Sequence, residues 1–165
     1  IRSHRALTLV AGLLVAALSG CSEPPTDYAS LASAVGVDPA TVVVRSDLAY
    51  GLRKSDDMLE VVEIEPSGVA RQVSSRTPSR PGKNVTIVAG GGQPGCCAFV
   101  YGTATSDIAT VSVFASGLSS KAAVSHGTWL VVLETSDIEP SQTQWEMRDD
   151  QGLLVDSGRG PITAP

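Results

Sequence analysis

The chain has 165 residues, 42% of them hydrophobic but only 4% aromatic, and 12 Lys and Arg against 17 Asp and Glu give a net charge of −5. An acidic balance without a basic cluster argues against nucleic acid as a partner and against a polybasic contact with a membrane surface. It points to no positive partner either, because solubility alone accounts for it. The length suits one domain with a real core, or one domain plus a tail.

The first twenty residues differ in kind from the rest. Arg2, His4 and Arg5 make a short basic start, and residues 6–18 form an uncharged run rich in Ala, Leu and Val. That run is shorter than the roughly 20 residues needed to span a bilayer core. It has the length of the apolar region of a signal peptide. It ends in Leu18-Ser19-Gly20-Cys21, which resembles the lipobox of bacterial lipoproteins. The resemblance implies that residues 1–20 are a signal peptide. Cys21 would then receive a diacylglyceryl group on its thiol and become the new N-terminus. An ordinary secretory signal and a retained membrane helix are the rival readings. Two long acyl chains, at about 0.8 kcal/mol per buried CH₂, convert marginal binding into stable anchoring. Removing residues 1–20 takes away two Arg and no acid, which leaves a net charge of −7.

Ser22 stands where some Gram-negative lipoproteins carry a retention Asp. The expected location is therefore the outer face of the cytoplasmic membrane, or the outer membrane where the organism has one. Nine Arg against three Lys, with abundant Ala, Val and Gly, fit a GC-rich genome and an actinobacterial lipoprotein.

Residues 21–37 read as the lipidated Cys, a polar Pro-Pro tether and a short N-terminal helix. Asp27 is placed to cap a helix over 28–35, and Gly36 to stop it. Beyond Asp38-Pro39 the pattern turns to period two. Strands are expected over 41–45, 59–65, 69–75, 84–89, 98–105, 109–115, 121–125, 128–134, 144–148 and 153–157. Pro66-Ser67-Gly68 and Asp149-Asp150-Gln151-Gly152 supply hairpin turns, and residues 77–83 a loop. Short strands at regular spacing imply an all-β, antiparallel sandwich or barrel over 38–157, followed by a flexible tail over 158–165. Alternation places Ile108, Val111, Val113, Trp129, Val131, Leu133, Trp145 and Met147 in the core. Phe99, Tyr101 and Phe114 also fall at strand positions, where aromatics are core residues more often than a stacking platform.

Between residues 99 and 157 the chain runs Val-Tyr-Gly-Thr-Ala, Ala-Thr-Val-Ser-Val, Gly-Thr-Trp-Leu-Val-Val-Leu and Trp-Glu-Met-Arg-Asp-Asp-Gln-Gly-Leu-Leu. This resembles the small immunoglobulin-like β-sandwich modules of actinobacterial secreted proteins and lipoproteins. The resemblance implies a fold and brings no cofactor or catalytic residue with it.

Candidate chemistry is sparse. Cys96 and Cys97 are adjacent, so on a strand they point to opposite faces. One buried and one partly exposed thiol is the first expectation; a vicinal disulfide closing an eight-membered ring, or a redox or metal site, are the alternatives. Gly90-Gly91-Gly92-Gln93-Pro94-Gly95 spells G-x-G-x-x-G but runs into strand sequence, whereas a dinucleotide fingerprint must open a helix. His126, beside Ser125, sits in a hairpin turn without a nucleophile elbow. Glu63 and Glu65 share a strand face by spacing and read, with Glu60, as solvated surface, and Asp149 and Asp150 as turn residues, a weak calcium site being the alternative. Asn84-Val85-Thr86 is a formal glycosylation sequon.

These features lead to a membrane-anchored extracytoplasmic lipoprotein that is not an enzyme and carries neither cofactor nor metal. Its β domain is expected to serve as a binding or interaction module for an unknown envelope protein or ligand. The alternative is a small redox or metal-handling envelope protein that uses Cys96 and Cys97.

Overall fold

The computed structural model describes residues 25–78, 82–91 and 96–162. Leu18, Ser19, Gly20 and Cys21, and with them the signal peptide and the lipidation site, lie outside the described residues. The chain begins with helix α1 (Tyr28–Ala34) and a 3-10 turn (Pro39–Thr41). Strands follow as β1 (Val43–Arg45), β2 (Leu48–Ser55), β3 (Met58–Ile64), β4 (Ala70–Pro78), β5 (Thr86–Gly91) and β6 (Cys97–Thr103). The remainder are β7 (Thr110–Ala115), β8 (Leu118–Ala123), β9 (Thr128–Leu133), β10 (Gln144–Arg148) and β11 (Leu154–Arg159), with a second 3-10 turn at Pro140–Gln142. The protein is therefore mostly β, as expected. No helix among the described residues is long and apolar enough to cross a membrane.

Asp27 caps α1 by accepting from the Ser30 N–H at 3.2 Å, and Gly36 ends it at φ 75°. Four two-residue hairpin loops then set the strand register. In each, the first residue (Ser46, Asp56, Ser116 or His126) adopts a positive φ that matches the strand twist. At the β10–β11 turn Asp149 Oδ1 accepts the N–H groups of Gln151 and Leu153 at 3.0 and 2.8 Å. That is the backbone bonding for which turns favour Asp.

The strands form three antiparallel sheets: a first sheet β1-β2-β3-β4, a middle sheet β5-β6-β9 and a last sheet β11-β10-β7-β8. They stack in layers with the middle sheet covered on both faces. Cys97, Phe99, Tyr101, Leu130 and Val132 face the first sheet, where they meet Tyr50, Leu52, Leu59 and Val61. Ala98, Val100, Trp129, Val131 and Leu133 face the last sheet and meet Val111, Val113, Trp145 and Met147. All eight core residues expected from alternation are buried in this second cluster. On its far side the first sheet carries Ala49, Val62 and Ile64, which α1 and Val37 cover through Ala32. Gly51 is needed there because a Cβ would lie 2.4 Å from the Val37 side chain.

Several sequence expectations are corrected. Strand β2 replaces irregular chain, because Gly51 and the Arg53-Lys54 pair mask its alternation. Strand β4 extends into the expected loop as far as Pro78. Residues 158–162 belong to the fold and not to a flexible tail: β11 runs to Arg159, the Trp145 indole N–H donates to the Gly160 carbonyl at 3.0 Å, and Ile162 bridges to Val85. Asn84 of the sequon is buried, and its Oδ1 accepts the Thr103 N–H at 2.9 Å.

Gly102 shows how tightly the middle sheet is closed. A Cβ there would stand 2.0 Å from the Asn84 carbonyl oxygen. Gly102→Ala is therefore expected to destabilise the domain by about 1–3 kcal/mol, the usual cost of overpacking. The change would appear as a lower midpoint in urea unfolding, and an unchanged midpoint would refute the close approach.

Candidate functional site

Cys96 and Cys97 are joined in a disulfide at the entrance to β6. The first expectation, two thiols, is thereby corrected, although its burial pattern holds: Cys97 is fully buried and Cys96 is partly exposed. The bond is a covalent step that periodicity and spacing do not reveal. Cys97 pairs with Gly91 across the β5–β6 ladder. The second half of the G-x-G-x-x-G run, residues 92–95, lies outside the described residues. Its beginning belongs to strand β5 and its continuation to strand β6, so no helix N-terminus follows it.

The first sheet brings three polar side chains to this end of its inner face. Tyr50 on β2 lies opposite Glu63 on β3, and Glu63 lies opposite Arg71 on β4. The Tyr50 hydroxyl stands 3.6 Å from Cys96 Sγ. A disulfide sulfur has no proton, so the phenol is the donor. Burial pushes the Tyr50 hydroxyl up to about 12, and the charge of the Glu63 carboxylate adds to that. Glu63 is 1% exposed, which corrects the expectation of a solvated face. It accepts from Arg71 Nε at 3.0 Å and from a second guanidinium nitrogen through Oε1 alone. Its Oε2 is buried without a hydrogen-bond partner. Glu60, on the opposite face, is likewise buried and holds Arg53 at 2.8 Å. The cationic partners that permit this burial come from neighbouring strands, so single-strand alternation cannot show it.

A second polar cluster joins parts of the chain 88 residues apart. Asp38 Oδ2 accepts from Ser125 Oγ at 3.1 Å and bonds His126 Nδ1 at 3.0 Å, while Oδ1 accepts the Ala40 N–H. Burial opposes ionisation of Asp38, but bonds from His126, Ala40 and Ser125 outweigh it and hold the carboxyl below the ordinary value. Ser125 also meets His126 through Nδ1, at 3.1 Å. A hydrolytic relay requires the imidazole to face the acid with one nitrogen and the serine with the other. In this cluster both approach the same nitrogen, which makes it a clasp between the His126 turn and the 3-10 turn. It borders a groove of about 410 Å³ lined by Val37, Pro39, Leu52, Lys54 and Leu59 among others. Among the described residues, no three His, Cys, Asp or Glu side chains converge to hold a metal ion.

Arg71→Ala strands the Glu63 carboxylate in the core, so the urea midpoint is expected to fall, and adding Glu63→Gln to recover part of the loss. Equal midpoints for Arg71→Ala and wild type would show that the pair contributes nothing. For Asp38 the folded pKa lies below the unfolded value, which is about 3.9. Its stabilisation is therefore present above about pH 4 and lost as pH falls through the folded value. The gap in urea midpoint between wild type and Asp38→Asn should accordingly close on acidification below about pH 4. A gap independent of pH would exclude the clasp as its origin.

Comparison with protein-family models, curated proteins and solved structures returned no match.

Proposed function

We propose that the chain is a lipid-anchored extracytoplasmic protein, held to the membrane through Cys21, whose β domain is a non-catalytic binding or interaction module of the cell envelope. The observation that carries this reading is the Cys96–Cys97 disulfide. Disulfides persist in oxidising compartments and are rare where thiols are kept reduced. Export is also what the basic start, the apolar run and Leu18-Ser19-Gly20-Cys21 prescribe. The middle sheet β5-β6-β9 facing the last sheet β11-β10-β7-β8 supports an immunoglobulin-like sandwich, with the first sheet and α1 added to its free face. The Asp38 groove is the natural seat for a small partner. The actinobacterial setting rests on the composition and the sequence resemblance.

A second reading, a small redox protein of the envelope, is favoured by that same bond between adjacent residues with a phenol beside it.

The anchor is tested by expressing wild type and Cys21→Ala in a bacterium with the lipoprotein pathway. Wild type should fractionate with membranes and incorporate labelled palmitate, and Cys21→Ala should do neither. Equal labelling, or membrane retention of the variant, would overturn lipidation at Cys21.

A further inference from the structure

We propose that the Cys96–Cys97 disulfide is a thiol–disulfide exchange site for a dithiol partner, entered at Cys96 and assisted by the Tyr50 hydroxyl. The inference rests on the redox reading and names its partner class and its working parts.

Direction follows from burial. Cys97 is 0% exposed among Phe99, Tyr101, Leu130 and Val132, so an incoming sulfur cannot reach it. Cys96 is partly exposed and is the sulfur open to attack. A thiolate of the partner attacks Cys96 Sγ, forming a mixed disulfide and releasing Cys97 as the thiolate. Water protonates Cys97, and the partner's second thiol gives up its proton to solvent. That second sulfur, now a thiolate, attacks the partner's first sulfur and expels Cys96 as a thiolate, which is then protonated from solvent. The partner leaves as a disulfide, oxidised by two electrons, and Cys96 and Cys97 remain as two thiols. A monothiol serves poorly, because Cys97 stands next to the mixed disulfide and reverses the first step.

Tyr50 is placed for the last step. Its hydroxyl lies 3.6 Å from Cys96 Sγ and can donate to the departing thiolate. Burial and the Glu63 carboxylate hold it protonated, and Arg71 holds that carboxylate in place.

The experiment uses the full-length lipidated protein in detergent, with dithiothreitol as the dithiol and 2-mercaptoethanol as the monothiol. Reduction is read by alkylation and mass, without denaturant. Dithiothreitol should reduce the bond well ahead of an equal thiol concentration of 2-mercaptoethanol. Tyr50→Phe should slow that reduction about tenfold, the scale of one hydrogen bond to a charged group, while its initial disulfide content stays unchanged. In Cys97→Ser, Cys96 should form a mixed disulfide with an aromatic disulfide reagent; in Cys96→Ser, Cys97 should react only after unfolding. This pair of variants decides the direction of entry even where Tyr50→Phe folds poorly. A bond that dithiothreitol reduces only after unfolding would overturn the redox reading altogether. Native reduction with equal rates for Tyr50→Phe and wild type, or with equal thiol reactivity in the two Cys variants, would leave that reading standing and overturn entry at Cys96 with assistance from Tyr50.

Discussion

Burial of the middle sheet on both faces is the constraint from which the rest of the structure follows. Every residue of β6 and of β9 is buried, so neither strand has a solvent side on which polar residues could alternate. The two faces are nevertheless different. On β6 the face toward the first sheet carries Phe99 and Tyr101, while the other carries Ala98 and Val100. The last sheet answers the small side with Trp145 and Met147, beside Trp129 of the middle sheet itself. Volume is thus exchanged across the sheet, as close packing requires. Tyr50 and Phe99 meet with ring centroids 5.1 Å apart, which fixes how the first sheet seats on the middle one.

A core closed on both sides tolerates polar groups only where partners reach them. Asn84 is matched by the Thr103 backbone, the Trp145 indole by the Gly160 carbonyl, and Glu60 by Arg53. Among the described residues the Trp129 indole N–H and Glu63 are exceptions: the indole has no hydrogen-bond partner, and Glu63 has a cation on one oxygen and no hydrogen-bond partner on the other. A buried, half-satisfied carboxylate costs stability unless something else holds it there. Its position one strand from Tyr50, whose hydroxyl touches the disulfide, gives that cost a chemical meaning.

The fold was legible in the sequence where local chemistry decides it. Asp27 and Gly36 announce the helix, Pro66-Ser67-Gly68 and Asp149 to Gly152 announce hairpins, and alternation from Ile108 to Met147 finds the core against the last sheet. Three things were not legible, each because it depends on a partner distant in sequence. An apolar run such as Thr128–Leu133 does not say whether one sheet or two will cover it. Glu63 on its own strand looks solvated, and only the register with Tyr50 and Arg71 buries it. The clasp joins Asp38 to Ser125 and His126, 87 and 88 residues away. Of the candidate site, the cysteines were visible as a pair, but Tyr50 was not, because its strand was not recognised.

The position of the disulfide then bears on how the domain divides its labour. The cysteines belong to the middle sheet, whose core against the last sheet uses none of them. Tyr50, Glu63 and Arg71 all belong to the first sheet. The polar groups around Cys96 are therefore assembled by docking one layer on another rather than by any single sheet. A shift of the first sheet along the middle one would leave the second core intact and withdraw the phenol from the sulfur. The Asp38 clasp ties the 3-10 turn that precedes the first sheet to the turn that opens β9, so it resists that same shift from the far end of the interface. Groove and disulfide are in this sense two ends of one contact, and the exchange proposed at Cys96 would depend on the seating that Asp38 helps to hold.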